Sequence, residues 1–304
     1  MAQPLISIVL GSYNRQPFLR RTLESVRQEL VDFAHEIIVI DGGSDDGSLR
    51  WLSAQKDVVT IIQHNRGDWR GKPLERRSWG YFMNLGFKCA QGKYICMLSD
   101  DCLVIPGAIR HGYAEFEQLL TEGKNIGALA FYWRNWPEYA RYFVMRAGAQ
   151  IFVNHGIYLK AALEAVNYLD ETHYLFYCAD ADLCFRLARA GYLTVATDRS
   201  LIEHYSHANM PSRKSNKPVG ERDFAQFKAR WGEWLEHHAA DEIFSFLESA
   251  QVPDDQVASE GFGAYHRKLM RKKSFKQKLR PFRSAWRHLR GTAVAALKQV
   301  LVKR

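Results

Sequence analysis

No stretch of the 304-residue chain approaches the roughly 20 consecutive apolar residues that a membrane-spanning helix needs. The opening MAQPLISIVLGSYNR has neither a basic leader nor a small-residue cleavage site. It therefore reads as a first strand rather than a secretory signal, and a cytoplasmic protein is expected. Cysteine is scarce: the five thiols at 89, 96, 102, 178 and 184 are odd in number and form no C-x-x-C pair, and several sit in apolar runs. A disulfide framework or zinc ribbon is thereby disfavoured. There is no internal repeat, no low-complexity block and no G-x-G-x-x-G fingerprint of an NAD-type site. One further absence is local. Residues 261–304 hold fourteen Lys or Arg and no Asp or Glu, so the preceding residues, with 28 basic and 33 acidic, carry −5 in a chain of net +9. The basicity belongs to a tail.

What is present in the first hundred residues is an alternation of strand and helix signals. LISIVLGSY (5–13) is apolar and β-branched. PFLRRTLESVRQEL (17–30) sets Phe18, Leu19, Leu23, Val26 and Leu30 at helical spacing, with Pro17 suited to the first turn. HEIIVIDGG (35–43) is a second buried strand, and SDDGSLRWLSA opens a helix with Ser44 or Asp45 as its cap. VVTIIQH (58–64), the helix SWGYFMNLGFKCAQG (78–92) and the strand KYICMLSDD follow. This order predicts a parallel, doubly wound sheet, which binds ligands at the carboxyl ends of its strands. Tyr13, Asp41 and the Asp100–Asp101 doublet each follow a separate strand, so they are expected to converge on one cleft. Residues 108–210 alternate less regularly, with strands over NIGALAFYWR and QIFVNHGIYL and a helix over ADADLCFRLARAGY (179–192) that starts with acids. MPSRKSNKPVGER reads by composition as a mobile polar linker, and DFAQFKARWGEWLEHH as a helix.

Four places could carry chemistry. Adjacent carboxylates at 100 and 101 suit a divalent ion that keeps positions for phosphate oxygens; the alternative is a solvated turn. Asp41 could accept hydrogen bonds from a nucleoside, with Gly42 and Gly43 permitting close approach, or could serve an ordinary turn. Asp180 or Asp182, at a helix start, could face the cleft as a general base, and Asp182 could equally be a cap. His204 and His207 of EHYSH could ligate a metal or simply lie at the surface.

The ordered set SIVLGSYNR, IIVIDGGSDDGS, MNLGFKCAQGKYICMLSDD, YCADADLCFRLARAGY and IEHYSH resembles the family 2 glycosyltransferases of the GT-A fold, over roughly residues 5–207. The single motifs are modest; five in this order and spacing are specific. The resemblance implies an α/β protein with a Rossmann-like, mostly parallel central sheet flanked by helices. It implies an inverting, single-displacement transferase that uses a nucleotide-diphosphate sugar, uridine-linked by default, and a divalent metal, Mn2+ or Mg2+. Carried over by position, Ser12 and Tyr13 lie at the nucleotide with Tyr13 packed on the base, Asp41 contacts the nucleoside, and Asp100 lies near the ribose. Asp101 ligates the metal with His204 as a late ligand, and Asp180 is the base for the acceptor hydroxyl. Three departures stand out: Gly42 replaces the second acid of DDGS, Ser99 the first acid of D-x-D, and Ala179 the Glu of an ED pair. In the arginine-rich loop 65–80, Arg76 or Arg77 is placed to reach the nucleotide or diphosphate.

The same reading divides the chain into a transferase domain, 1–210, a linker and helical segment, 211–260, and a basic helical extension, 261–304. The domain has a nucleotide-sugar half, 1–107, and an acceptor half, 108–210. In the extension, basic residues interleave with Phe275, Phe282, Trp286 and Leu289, and AVAALKQVLVK closes with an amphipathic pattern. Such segments dock on anionic membrane surfaces at about 1 kcal/mol per basic residue. The expected setting is peripheral, on the inner face of the cell membrane, acting on a glycan or lipid-linked acceptor in cell-surface glycan or lipopolysaccharide assembly. A nucleic-acid partner suits the tail but not the net acidic body, and none is expected. The substituted acids also admit a catalytically inactive module that binds a nucleotide sugar.

Overall fold

The apolar runs of the first hundred residues are strands; those at 6–12 and 35–41 are covered on both faces and so read as unbroken hydrophobic stretches, while 58–62 stays partly exposed. In the computed structural model, which describes residues 3–208, 210–238 and 244–272, they form β1 (Ile6–Ser12), β2 (His35–Asp41) and β3 (Val58–Ile62), joined by α1 (Gln16–Glu29) and α2 (Ser48–Leu52). A hairpin of β4 (Asp68–Trp69) and β5 (Lys72–Pro73) precedes α3 (Trp79–Cys89), β6 (Tyr94–Ser99), β7 (Cys102–Val104) and α4 (Ala108–Thr121). Then come β8 (Ile126–Asn135), β9 (Phe143–Ala147), β10 (Gln150–Ile151), β11 (Gly156–Leu159) and α5 (Lys160–Ala165). The remaining elements are α6 (Ala179–Arg189), β12 (Leu193–His204), α7 (Met210–His238) and β13 (Ser245–Glu248).

The period of two sorts the strand side chains into two cores. Ile6, Ile8 and Leu10 of β1, with Ile37 and Val39 of β2, share one core with Leu19 and Leu23 of α1 and Ile109 of α4. Val9, Ile38 and Ile40 face the other, with Phe82, Met83 and Phe87 of α3 and Phe185 of α6. Helix α1 buries Phe18, Leu19, Leu23 and Val26, the residues its spacing singles out, with Pro17 in its first turn. The sheet runs β10-β9-β8-β11-β6-β1-β2-β3. Its β6-β1-β2-β3 half is parallel; β11 enters antiparallel to both β6 and β8, and β12 lies parallel to β8 and antiparallel to β7.

Three local expectations give way. QIFVNHGIYL is two strands, not one, because residues 152–155 leave the sheet before β11 begins. At Gly156 the backbone meets β8 so closely that a Cβ would lie 2.1 Å from the Leu129 carbonyl oxygen. MPSRKSNKPVGER is not a linker but the first turns of α7, with Pro218 inside the helix. The buried stripe of α7 is Asn216, Asp223, Phe227, Trp231 and Leu235; its first two members are polar, so apolar periodicity starts only at Phe227. The cap of α2 is Gly47, while Ser44 is bound to Asp41.

The first compact unit runs to Val257, and the described part of the second, residues 258–272, is helical. Phe275, Phe282, Trp286, Leu289 and the closing AVAALKQVLVK lie outside the described residues. Among the described residues no helix is long and apolar enough to cross a membrane.

Candidate active site

Strand register brings the singled-out residues to one edge. Ser12 pairs with Asp41 across β1 and β2, Gly11 with Ser99 across β1 and β6, and Cys102 with His204 across β7 and β12. The loops after β1 and β2 are tied to each other: Asn14 N donates to Ser44 Oγ at 2.9 Å, and Asp45 N donates to Asn14 Oδ1 at 2.8 Å. An open cleft lies at this edge, and Ser12, Tyr13, Arg77, Ser99 and Asp100 line it.

The acidic doublet is neither solvated nor free of cations. Asp100 and Asp101 are 2% and 1% exposed, and one nitrogen of Arg15 bonds both, at 2.7 Å to Asp100 Oδ1 and 2.9 Å to Asp101 Oδ2. Burial pushes the Asp100 carboxyl up; Arg15 opposes the shift, Asp101 adds to it, and the net direction is upward. Burial acts against the Arg15 charge, but the two carboxylates outweigh it and raise that group. Breaking such a buried pair costs about 3–5 kcal/mol because it strands the partner charge. Sequence reasoning gave Arg15 no role, although two adjacent acids at a buried strand end imply a cation nearby.

Asp41 lies outside the cleft lining. Its carboxylate is buried and engaged in the turn, with Oδ1 accepting from Gly43 N at 2.9 Å and Ser44 N at 2.7 Å, and Oδ2 from Ser44 Oγ at 2.7 Å. Gly42, which stands where the family has a second acid, lines the cleft instead. A Cβ there would meet the Tyr13 ring at 3.2 Å, so the missing acid and the seating of Tyr13 belong together.

His204 ends β12 rather than lying on a loop. Its Nδ1 is 2.5 Å from Asn135 Oδ1, and its Nε2 turns toward Asp101 Oδ1 at 3.2 Å. Neighbouring oxygen or nitrogen ligands of one small cation stand about 3 Å apart at bonds of about 2.1 Å, so this pair fits a divalent ion. The fit rests on two donors. Ser99 supplies no carboxylate, and among the described residues no group of three His, Cys, Asp or Glu assembles for a metal. An ion held here would complete its shell with phosphate oxygens. His207 instead faces Glu138, and Glu203, fully buried, braces the end of β12 through Arg134 at 2.9 Å and Tyr142.

Loop 65–77 folds back through the β4–β5 hairpin, so Arg66 and Arg76 meet in the cleft. Both donate to one neutral acceptor, Asn216 Oδ1 of α7, at 2.9 and 2.8 Å. Arg66 covers Tyr13 and Arg76 covers Phe176, at 5.5 and 5.7 Å from the ring centroids. Burial holds both groups below the usual arginine range, with Arg15 adding to the effect on Arg66 and Arg66 to that on Arg76. Arg77 lies over Tyr81 at 5.3 Å, with its backbone clamped by Asn65. Arg66 carried no signal in the sequence, because only the hairpin decides which arginines turn inward.

Asp180 stands in the first turn of α6, after Cys178 in a left-handed conformation (φ 65°). Asn154, exposed by the break between β10 and β11, lines the cleft and donates to Asp180 Oδ2 at 3.0 Å. Burial pushes the Asp180 carboxyl above its ordinary range against the bonds from Ala181 N and Asn154. Asp182 points into the core, to Arg186, Trp231 and Tyr174, and is not available to the cleft.

Residues 7–156 match the model of Glycosyl transferase family 2. Chondroitin synthase of Escherichia coli is 30% identical over 152 residues, covering 45% of this chain and 20% of that protein. The putative glycosyltransferase EpsH of Bacillus subtilis is 29% identical over 108 residues, 35% of this chain and 28% of that one. The chain thus spans less than a third of the length of these relatives. The mannosyltransferase PcManGT of Pyrobaculum calidifontis, solved with GDP-Man and Mn2+, superposes with a TM-score of 0.52 at 17% identity, over 74% of this chain and 64% of that one. Residues 1–349 of S. aureus TarS give 0.51 at 14% identity, over 66% and 60%. At such identities the likeness is one of fold, the GT-A fold expected from the motifs. The match to glycosyl transferase family 2 thus lies in residues 7–156 of the chain.

Proposed function

We propose that the protein transfers a sugar from a nucleotide-diphosphate sugar to a hydroxyl acceptor, by single displacement with inversion and with Asp180 as base. The observation that carries this is a single cleft that joins Asp180, through Asn154, to an edge where Asp100 and the guanidiniums of Arg15, Arg66 and Arg76 gather.

Tyr13 packs on the nucleotide base, Asp41 shapes the turn that meets the nucleoside, and Ser12 and Asp100 face the ribose. Arg66, Arg76 and Arg77 receive the diphosphate, whose charged oxygens outcompete the neutral Asn216 for the two guanidiniums. Asp101 and His204 would hold a divalent ion, which when bound supplies charge neutralisation for the departing diphosphate. Asp180 takes the acceptor proton as the acceptor oxygen bonds the anomeric carbon. The bond from that carbon to the β-phosphate oxygen breaks on the opposite face, and its electron pair leaves with the nucleoside diphosphate. The complex of PcManGT with GDP-Man and Mn2+ supports this donor and ion chemistry. The basic extension supports an anionic membrane surface as the place where a glycan or lipid-linked acceptor is met.

The test is a thermal-shift panel of UDP, GDP and dTDP sugars with and without Mn2+, followed by transfer assays on the donors that bind. One nucleotide class should raise the midpoint by a few degrees, more so with Mn2+. No stabilisation and no turnover with any donor would refute the proposal.

A further inference from the structure

Asp223 lies on α7, directly after the stretch whose composition reads as linker, and is fully buried. It accepts from three successive backbone amides: Leu175 N to Oδ1 at 3.0 Å, and Phe176 N and Tyr177 N to Oδ2 at 2.7 and 2.8 Å. Successive amides aimed at one point belong to neither helix nor strand; the carboxylate stands in for the partners that regular structure would supply. Both ends of this loop reach the site. Phe176 lines the cleft beneath Arg76, and Tyr177 leads through Cys178 directly into the turn of α6 that carries Asp180. The same face of α7 anchors itself independently further along, where Trp231 Nε1 donates to Asp182 Oδ1 at 2.9 Å.

We propose that Asp223 is a positioning residue for transfer, holding loop 175–177 in the shape that aims Asp180 at the acceptor. This rests on the reading of Asp180 as the base. A carboxylate suits the task because it only accepts; an isosteric amide would set its NH2 against a backbone N–H and lose at least one of the three bonds.

The test compares Asp223→Asn with Trp231→Phe in the full chain, the second loosening α7 without touching the loop. In Asp223→Asn, hydrogen exchange of the 175–177 amides should rise at least about tenfold while that of β1 and β2 stays unchanged. The turnover number should fall about 10–100-fold, the scale of an ångström-sized misplacement, with the calorimetric donor Kd within about threefold. Trp231→Phe should lower the thermal midpoint and leave both loop exchange and turnover near wild type. Unchanged loop exchange in Asp223→Asn would overturn the proposal, as would a loosened loop with full turnover, or turnover and donor Kd lost together. If the wild type transfers from no donor, the role given to Asp180 fails, while the exchange measurement still decides whether Asp223 holds the loop.

Discussion

Ser12 and Ser99 reach the cleft, and Asp41 the turn beside it, through the register of three parallel strands, so the backbone ladder sets their places. Asp180 is joined to the cleft differently, through Asn154: it needs a left-handed Cys178, an amide from the Asn154 loop, and a preceding loop held by a helix from later in the chain. The strand-end edge is set by backbone pairing between strands. The loop edge is assembled from long-range side-chain bonds, each of which can be cut singly. Binding of the donor and chemistry on the acceptor should therefore be separable by mutation.

The sharpest separation is Asp180→Asn, which should cut turnover about 10³-fold while the calorimetric donor Kd moves less than about threefold. From the other edge, Arg66→Ala combined with Arg76→Ala should weaken donor binding about 10²-fold by calorimetry, since each guanidinium gives up a charge-assisted bond. Asn135→Ala should cost about tenfold in Mn2+ affinity, read by electron paramagnetic resonance of free Mn2+, because the His204 ring loses the bond that orients it. The smallest effect is on pH. Asp180 must be ionised to act and its carboxyl is raised by burial, so turnover should fall as pH drops through a value above the ordinary 3.8. Asn154 favours the charged form, so Asn154→Ala should move this acid limb upward. A limb that moves down, or a donor Kd that tracks turnover in Asp180→Asn, would show that the two edges are not independent.

The same contrast explains what could be read without coordinates. The alternation of apolar runs with α1-type spacing, and the polar residues directly after β1, β2 and β6, were legible because strand ends are set by local sequence. The helix start offered Asp180 and Asp182 alike, and only the family pattern chose Asp180. Arg15 sat in the quoted SYNR motif, but its contact with the doublet needs the register of β1 on β6. Asn154 was hidden inside an apolar decapeptide that Gly156 breaks by close approach to β8, a contact no local pattern encodes. Asn216 was read as linker, and Asp223 as an ordinary helix residue, because a buried polar residue on a helix looks like an exposed one until its partners are known.

The central claim is a single displacement driven by one base at the loop edge. Proton NMR of the first-formed product, with a donor that the thermal-shift panel identifies, tests it directly. The account predicts an anomeric configuration opposite to that of the donor sugar; a product that retains the donor's configuration would contradict it.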